Sequence, residues 1–165
     1  MITGHPWYQV VAFAGSEPKS GQEVYGGHLG WLPQVAIRRR FWADDEEVML
    51  KVIGDVAAKT APLNLTFADI VQPAHMPVEI IQVEATAALC QLHAELLLRL
   101  GNAKFPDREG DHYYPHMTIS WKGERVVDAE TYARTRNMVE AIWIIKDKGP
   151  DSVAIKRFKL AAPMV

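Results

Sequence analysis

The run Tyr113-Tyr114-Pro115-His116-Met117-Thr118-Ile119-Ser120-Trp121 reads as a β-strand, on which alternate side chains share a face. His116 and Thr118 then point the same way, into whatever groove that face lines. An imidazole beside a hydroxyl on a rigid strand suits work on a phosphate. The imidazole moves a proton near neutral pH, and the hydroxyl donates to a phosphoryl oxygen. Tyr114 and His112 have the same parity as His116 and are expected at the groove mouth. Far upstream, Pro33-Gln34-Val35-Ala36-Ile37 repeats the frame of Pro115-His116-Met117-Thr118-Ile119 without its chemistry. Glutamine can hydrogen-bond a phosphate or a sugar hydroxyl but exchanges no proton at pH 7, and alanine donates nothing. Arg38 is expected on the face of Gln34 and Ala36, where a guanidinium suits phosphate. The alternative for Arg38, Arg39 and Arg40 is a solvated strand edge.

The chain has 165 residues, the size of one domain or of two small, intimately packed lobes. Its apolar fraction of 48% and charged fraction of 23% are ordinary for a soluble globular protein. A formal net charge of −2 gives no general pull toward nucleic acid. Proteins that coat a polyanion are basic as a rule, so a local site for a small piece is expected, not a surface for long duplex. The single cysteine, Cys90, excludes an internal disulfide and is expected to be a small buried hydrophobe. No histidine and cysteine spacing suggests a metal, and no cofactor is expected. The chain opens without a secretory pattern, and no run approaches the ~20 apolar residues of a membrane span. The expectation is a cytoplasmic monomer without membrane contact.

Tyr8–Ala14 is a strand apolar enough to be central. Residues 15–30, rich in Gly, Ser, Pro and charge, read as a long loop. A second strand covers Gln34–Phe41. Asp44 is the expected N-cap of a helix, with Glu47 completing a capping box. That helix places Met49, Val52, Ile53, Val56 and Ala57 on one face and stops before Pro62. Strands follow over Leu63–Val71 and Pro77–Val83. A second amphipathic helix over 85–100 turns Leu89, Leu92, Leu96 and Leu100 inward, packs His93, and ends at Gly101. Residues 102–111 form a polar loop. Asp128 is expected to cap a short helix over 129–137. Met138–Lys146 and Ser152–Leu160 make a closing hairpin. Each half of the chain sets a candidate motif strand beside a helix, which suggests two similar lobes facing each other. Gly26-Gly27-His28-Leu29-Gly30 has neither the spacing nor the preceding strand of a glycine-rich phosphate loop.

These elements together resemble the 2H phosphoesterase superfamily, which includes the bacterial 2′-5′ RNA ligase (LigT-like) proteins and the cyclic phosphodiesterases. Tyr8–Ala14 matches the opening strand. Leu32–Ile37 stands at the first motif, usually Pro-His-x-Thr-hydrophobic, and Tyr114–Ile119 matches the second. The segments Trp143–Lys146 and Phe158–Leu160 resemble the C-terminal pair. The resemblance covers nearly the whole chain. It implies an α+β fold over residues 1–165, with two lobes whose antiparallel sheets face a central groove and whose helices lie outside. It also implies metal-free acid–base catalysis. One imidazole per lobe meets the other across the groove, one as base and the other as acid on the leaving oxygen, while hydroxyls hold the phosphate. Each imidazole is worth roughly 10²–10⁴-fold. His116 and Thr118 carry over directly; Gln34 and Ala36 replace the other pair.

Three functions are compatible with this pattern. The first is a protein that binds a small phosphorylated nucleotide or a short oligonucleotide with impaired hydrolysis, exchanging proton transfer for static anion binding. His116, Thr118, Gln34, Ala36, Arg38 and Tyr114 would line its groove. Trp31, with Tyr25, Trp42 and Trp121, supplies candidates for stacking on a base. The second is an active, metal-independent phosphodiesterase that uses His116, with water, Arg38 or His28 covering the missing role. The third is a protein-interaction module whose groove is vestigial.

Overall fold

Alternation and turn chemistry give the chain order β1 (Trp7–Phe13), β2 (Glu23–Tyr25), β3 (Gln34–Trp42), α1 (Glu46–Ala58), β4 (Leu63–Val71), β5 (Ile80–Val83), α2 (Ala87–Leu100), β6 (His116–Thr118), β7 (Ser120–Trp121), β8 (Glu124–Arg125), a 3-10 turn (Ala129–Thr131), β9 (Arg136–Val139), β10 (Ala141–Lys148) and β11 (Asp151–Lys159). The computed structural model describes residues 6–25, 32–74, 76–100, 113–148 and 151–163. A five-stranded sheet runs β2-β11-β10-β1-β3, a four-stranded sheet runs β6-β5-β4-β9, and β7-β8 is a short hairpin. Every pairing among the described residues is antiparallel. The α+β fold with two antiparallel sheets is the one expected.

β1 lies inside its sheet and is buried on both faces, which is why it reads as a nearly unbroken apolar run. Tyr8, Val10 and Ala12 enter the main core. Val11 and Phe13 join a second cluster with Val24, Trp143, Ile145 and Ala154. Glu17 lies beside this second cluster and accepts from Trp143 Nε1 at 2.7 Å and from Arg157 Nε at 3.2 Å. The main core draws Val35 and Ile37 from β3, Leu65 and Phe67 from β4, Met117 from β6, and Ile53, Leu92 and Leu96 from the helices. Both sheets and both helices therefore share one interior. Gly54 lets α1 press on β11, because a Cβ there would meet Phe158 Cε1 at 3.0 Å.

The cap of α1 is Asp45, not Asp44: its side chain accepts from Val48 N at 3.2 Å. The neighbouring Glu46 instead accepts from Tyr8 Oη at 2.9 Å and from Lys146 Nζ at 2.7 Å. Burial first, then the hydrogen bond and charge of Glu46, push the Tyr8 hydroxyl far above its usual pKa. Asp45→Ala is expected to cost about 1 kcal/mol of stability. Calorimetry should show Tm lower by roughly 2–4 °C, with Asp44→Ala unchanged.

Other boundaries also differ. The helix expected over 129–137 is a 3-10 turn followed by β9, which pairs with β4 from Leu63↔Val139 to Thr66↔Arg136. Arg134 at φ 61 breaks the helical path, and the open edge of β4 takes the segment as a strand. The long loop contains β2, which pairs with β11. β5 starts at Ile80, past Pro77, which has no N–H for a ladder. Cys90 is half-buried on α2. Gly101 and the loop 102–111 lie outside the described residues. No helix among the described residues is long and apolar enough to cross a membrane.

Candidate functional site

β3 and β6 are each the edge strand of a sheet, and they pack against each other. Both send alternate residues into the one core: Val35 and Ile37 from β3, Met117 from β6 with Ile119 just beyond it. Gln34, Ala36, His116 and Thr118 consequently emerge on the side away from that core, and all of them are half-buried. The register agrees, since Gln34 pairs with Phe13 and Ala36 with Val11, both on the second-cluster face. The two motif segments, far apart in sequence, are thus set side by side.

His116 is held from its own chain. Its Nδ1 lies 2.8 Å from the Tyr114 carbonyl oxygen. A carbonyl only accepts, so Nδ1 carries the proton and the neutral ring keeps Nε2 as its unprotonated nitrogen. The Tyr114 ring stands beside it, with centroids 5.6 Å apart. The motif segment is clamped to β5 at both ends. Val83 N donates to Pro115 O at 3.0 Å, and Ile119 N donates to Glu79 O at 3.1 Å. Arg125 grips the Glu79 carboxylate through two bonds of 2.9 and 3.1 Å. That guanidinium holds the Glu79 carboxyl below its ordinary pKa. The β7-β8 turn has Lys122 at φ 51 and Gly123 at φ 82, the left-handed pair that a tight hairpin requires. A cleft of about 410 Å³ adjoins the motif, lined by Thr66, Gln82, Glu84, Tyr113, Tyr114 and Pro115 among others. Gln82 is the register partner of His116.

Arg38 does not join this group. β3 carries register shifts on either side of Val10, and an inserted residue flips the side-chain parity that follows it. Arg38 therefore pairs with Val10 on the core face, is 1% exposed, and sets its guanidinium 5.7 Å over the Phe41 ring. Its expected place beside Gln34 and Ala36 is corrected accordingly. Arg40 lies over the Trp7 ring and bridges to Asp147 at 3.0 Å. Trp31, His28 and His112 lie outside the described residues. Trp121 is exposed on β7, and Trp42 is half-buried at the end of β3.

Two residues at the strand junction have roles that the sequence alone did not assign. His93, 3% exposed on α2, donates from Nδ1 to the Ile37 carbonyl at 2.6 Å. Its ring stacks on Tyr113 at 4.1 Å and 5°. Tyr113 Oη in turn donates to the Ala36 carbonyl at 2.6 Å. The signal was present in the sequence: a histidine on the buried face of an amphipathic helix must find a polar partner.

A family model described as the 2′-5′ RNA ligase superfamily matches residues 33–149. No curated protein sequence matches the chain. Among solved structures, TT0787 of Thermus thermophilus is similar at 18% identity and a TM-score of 0.59, over 96% of this chain and 100% of that one. E. coli LigT complexed with 3′-AMP is similar at 12% identity and a TM-score of 0.56, over 96% of this chain and 99% of that one. The same LigT has been crystallised with NADP+ and with ATP. At these identities the likeness concerns the fold.

Proposed function

Because the chain belongs to the 2′-5′ RNA ligase superfamily, we propose that it binds a small nucleotide phosphate in the groove between β3 and β6, with hydrolysis of that phosphate impaired. The observation that supports this reading is the packing of β3, which carries Gln34 and Ala36, against β6, which carries His116 and Thr118. The Thr118 hydroxyl donates to a phosphoryl oxygen. His116 accepts a ligand hydroxyl at Nε2, or donates from it once protonated. Among the described residues, Gln34 Oε1 is buried without a hydrogen-bond partner, and a ribose hydroxyl would satisfy it. Ala36 leaves space but no donor. Since Arg38 is committed to the core, His116 meets the phosphate in its place, donating from Nε2 once protonated. The nucleotides bound by LigT support this ligand class. The reading takes the protein as a monomer acting on soluble cytoplasmic nucleotides.

Thermal-shift measurements with 3′-AMP and 2′,3′-cyclic AMP test it. A ligand at 100 times its Kd stabilises by about 2.7 kcal/mol, a rise of roughly 5–11 °C for a chain of this size. His116→Ala should remove the rise. No shift with any nucleotide or with inorganic phosphate sinks the reading in favour of an interaction module. The Nδ1–H tautomer of His116 also suits a general base, which favours a second reading as an active phosphodiesterase. Chromatographic detection of product from 2′,3′-cyclic AMP, lost in His116→Ala, would establish that one instead.

A further inference from the structure

We propose that Tyr113, backed by His93, is a positioning residue that fixes the Gln34/Ala36 strand against His116; the inference rests on the groove reading above. In a regular strand, consecutive carbonyls point to opposite edges. Here the consecutive carbonyls of Ala36 and Ile37 are both taken by groups from outside the sheet, Tyr113 Oη at 2.6 Å and His93 Nδ1 at 2.6 Å. The irregularity coincides with the register shift between Val10 and Val11. A bulged residue leaves a backbone group unpaired and bends its strand, and the stacked pair holds that bend from the other lobe. Tyr113 is also only three residues from His116, and the carbonyl between them, on Tyr114, is the one that orients the imidazole. A single short segment, 113–116, therefore does both jobs. Its first residue is pinned to β3, and its last is the imidazole that its own middle carbonyl holds. The His93 ring, parallel to Tyr113 and buried, leaves the phenol little freedom to swing away.

Tyr113→Phe removes the bond to Ala36 and keeps the stack. Two measurements follow: ¹⁵N signals of the His116 imidazole without ligand, and the Kd for 3′-AMP by calorimetry. In Tyr113→Phe the His116 signals should move from the Nδ1–H tautomer toward a mixture, and the Kd should rise about tenfold, with Tm lower by roughly 2–4 °C. His93→Asn, which keeps a donor for Ile37 but deletes the ring behind Tyr113, should shift both readouts the same way. Unchanged His116 signals in either variant overturn the inference. So does an unchanged Kd in a protein whose wild type binds 3′-AMP. A wild type that binds no 3′-AMP counts against the groove reading, and the imidazole signals still decide this inference separately.

Discussion

The double substitution Gln34→His/Ala36→Thr is expected to raise turnover of 2′,3′-cyclic AMP by roughly 10²–10⁴-fold, the usual worth of one positioned acid–base group. That factor corresponds to about 2.7–5.4 kcal/mol of barrier. The reason is geometric. Position 34 is half-buried on the side of β3 away from the core, and β3 packs against the strand that carries His116. An imidazole there restores the second proton carrier, and a hydroxyl at position 36 restores a donor for the phosphoryl oxygens. Neither change enters the main core, so the fold should tolerate both. Chromatography of the reaction mixture measures the gain, and adding His116→Ala to the double variant should abolish it. A double variant that still binds 3′-AMP but hydrolyses no faster than wild type would show that Gln34 and Ala36 do not occupy the complementary half of the site.

The largest loss of stability in the motif should come from Met117→Ala. Met117 sits between the two groove residues, points the other way, and is fully buried beside its register partner Ile81. Truncating a buried methionine removes transfer energy and leaves a cavity, at about 2–5 kcal/mol. For a chain of this length that is a fall in Tm of roughly 4–20 °C. Thr118→Ala, one residue away on the opposite face, should stay within about 1 kcal/mol of wild type while losing the thermal shift with 3′-AMP. Urea unfolding of the two variants makes the comparison. If Met117→Ala unfolds at the wild-type midpoint, the strand does not plug the shared core, and the alternation that aims His116 and Thr118 at the groove is wrong with it.

The parts of this arrangement that were legible in the sequence are those set by neighbours along the chain. The β1 run of apolar residues announced an interior strand, and Leu63–Val71 alternated as the strand it forms. Leu89, Leu92 and Leu96 marked the buried face of α2. His116 and Thr118 share a face because any strand has a period of two, and the matching Pro33–Ile37 frame pointed to its counterpart. The parts that were not legible depend on partners distant in sequence. Arg136–Val139 has weak local preference and becomes a strand because β4 offers an open edge. Tyr113 and His93 matter only because two edge strands meet beneath them.

Arg38 shows the dividing line most clearly. Counting by twos from Ala36 is a rule of the isolated strand, and it puts a guanidinium in the groove. Pairing with β1 inserts an irregularity that no local pattern announces, because a bulge is fixed by what lies opposite and by which carbonyls find outside donors. One inserted residue turns the side chain through the sheet, from the side of Gln34 and Ala36 toward the Phe41 ring. Residue types and their period set which chemistry was available on each strand. The register between strands, a property of contacts spanning the whole chain, selected which of those groups stand on the side away from the core.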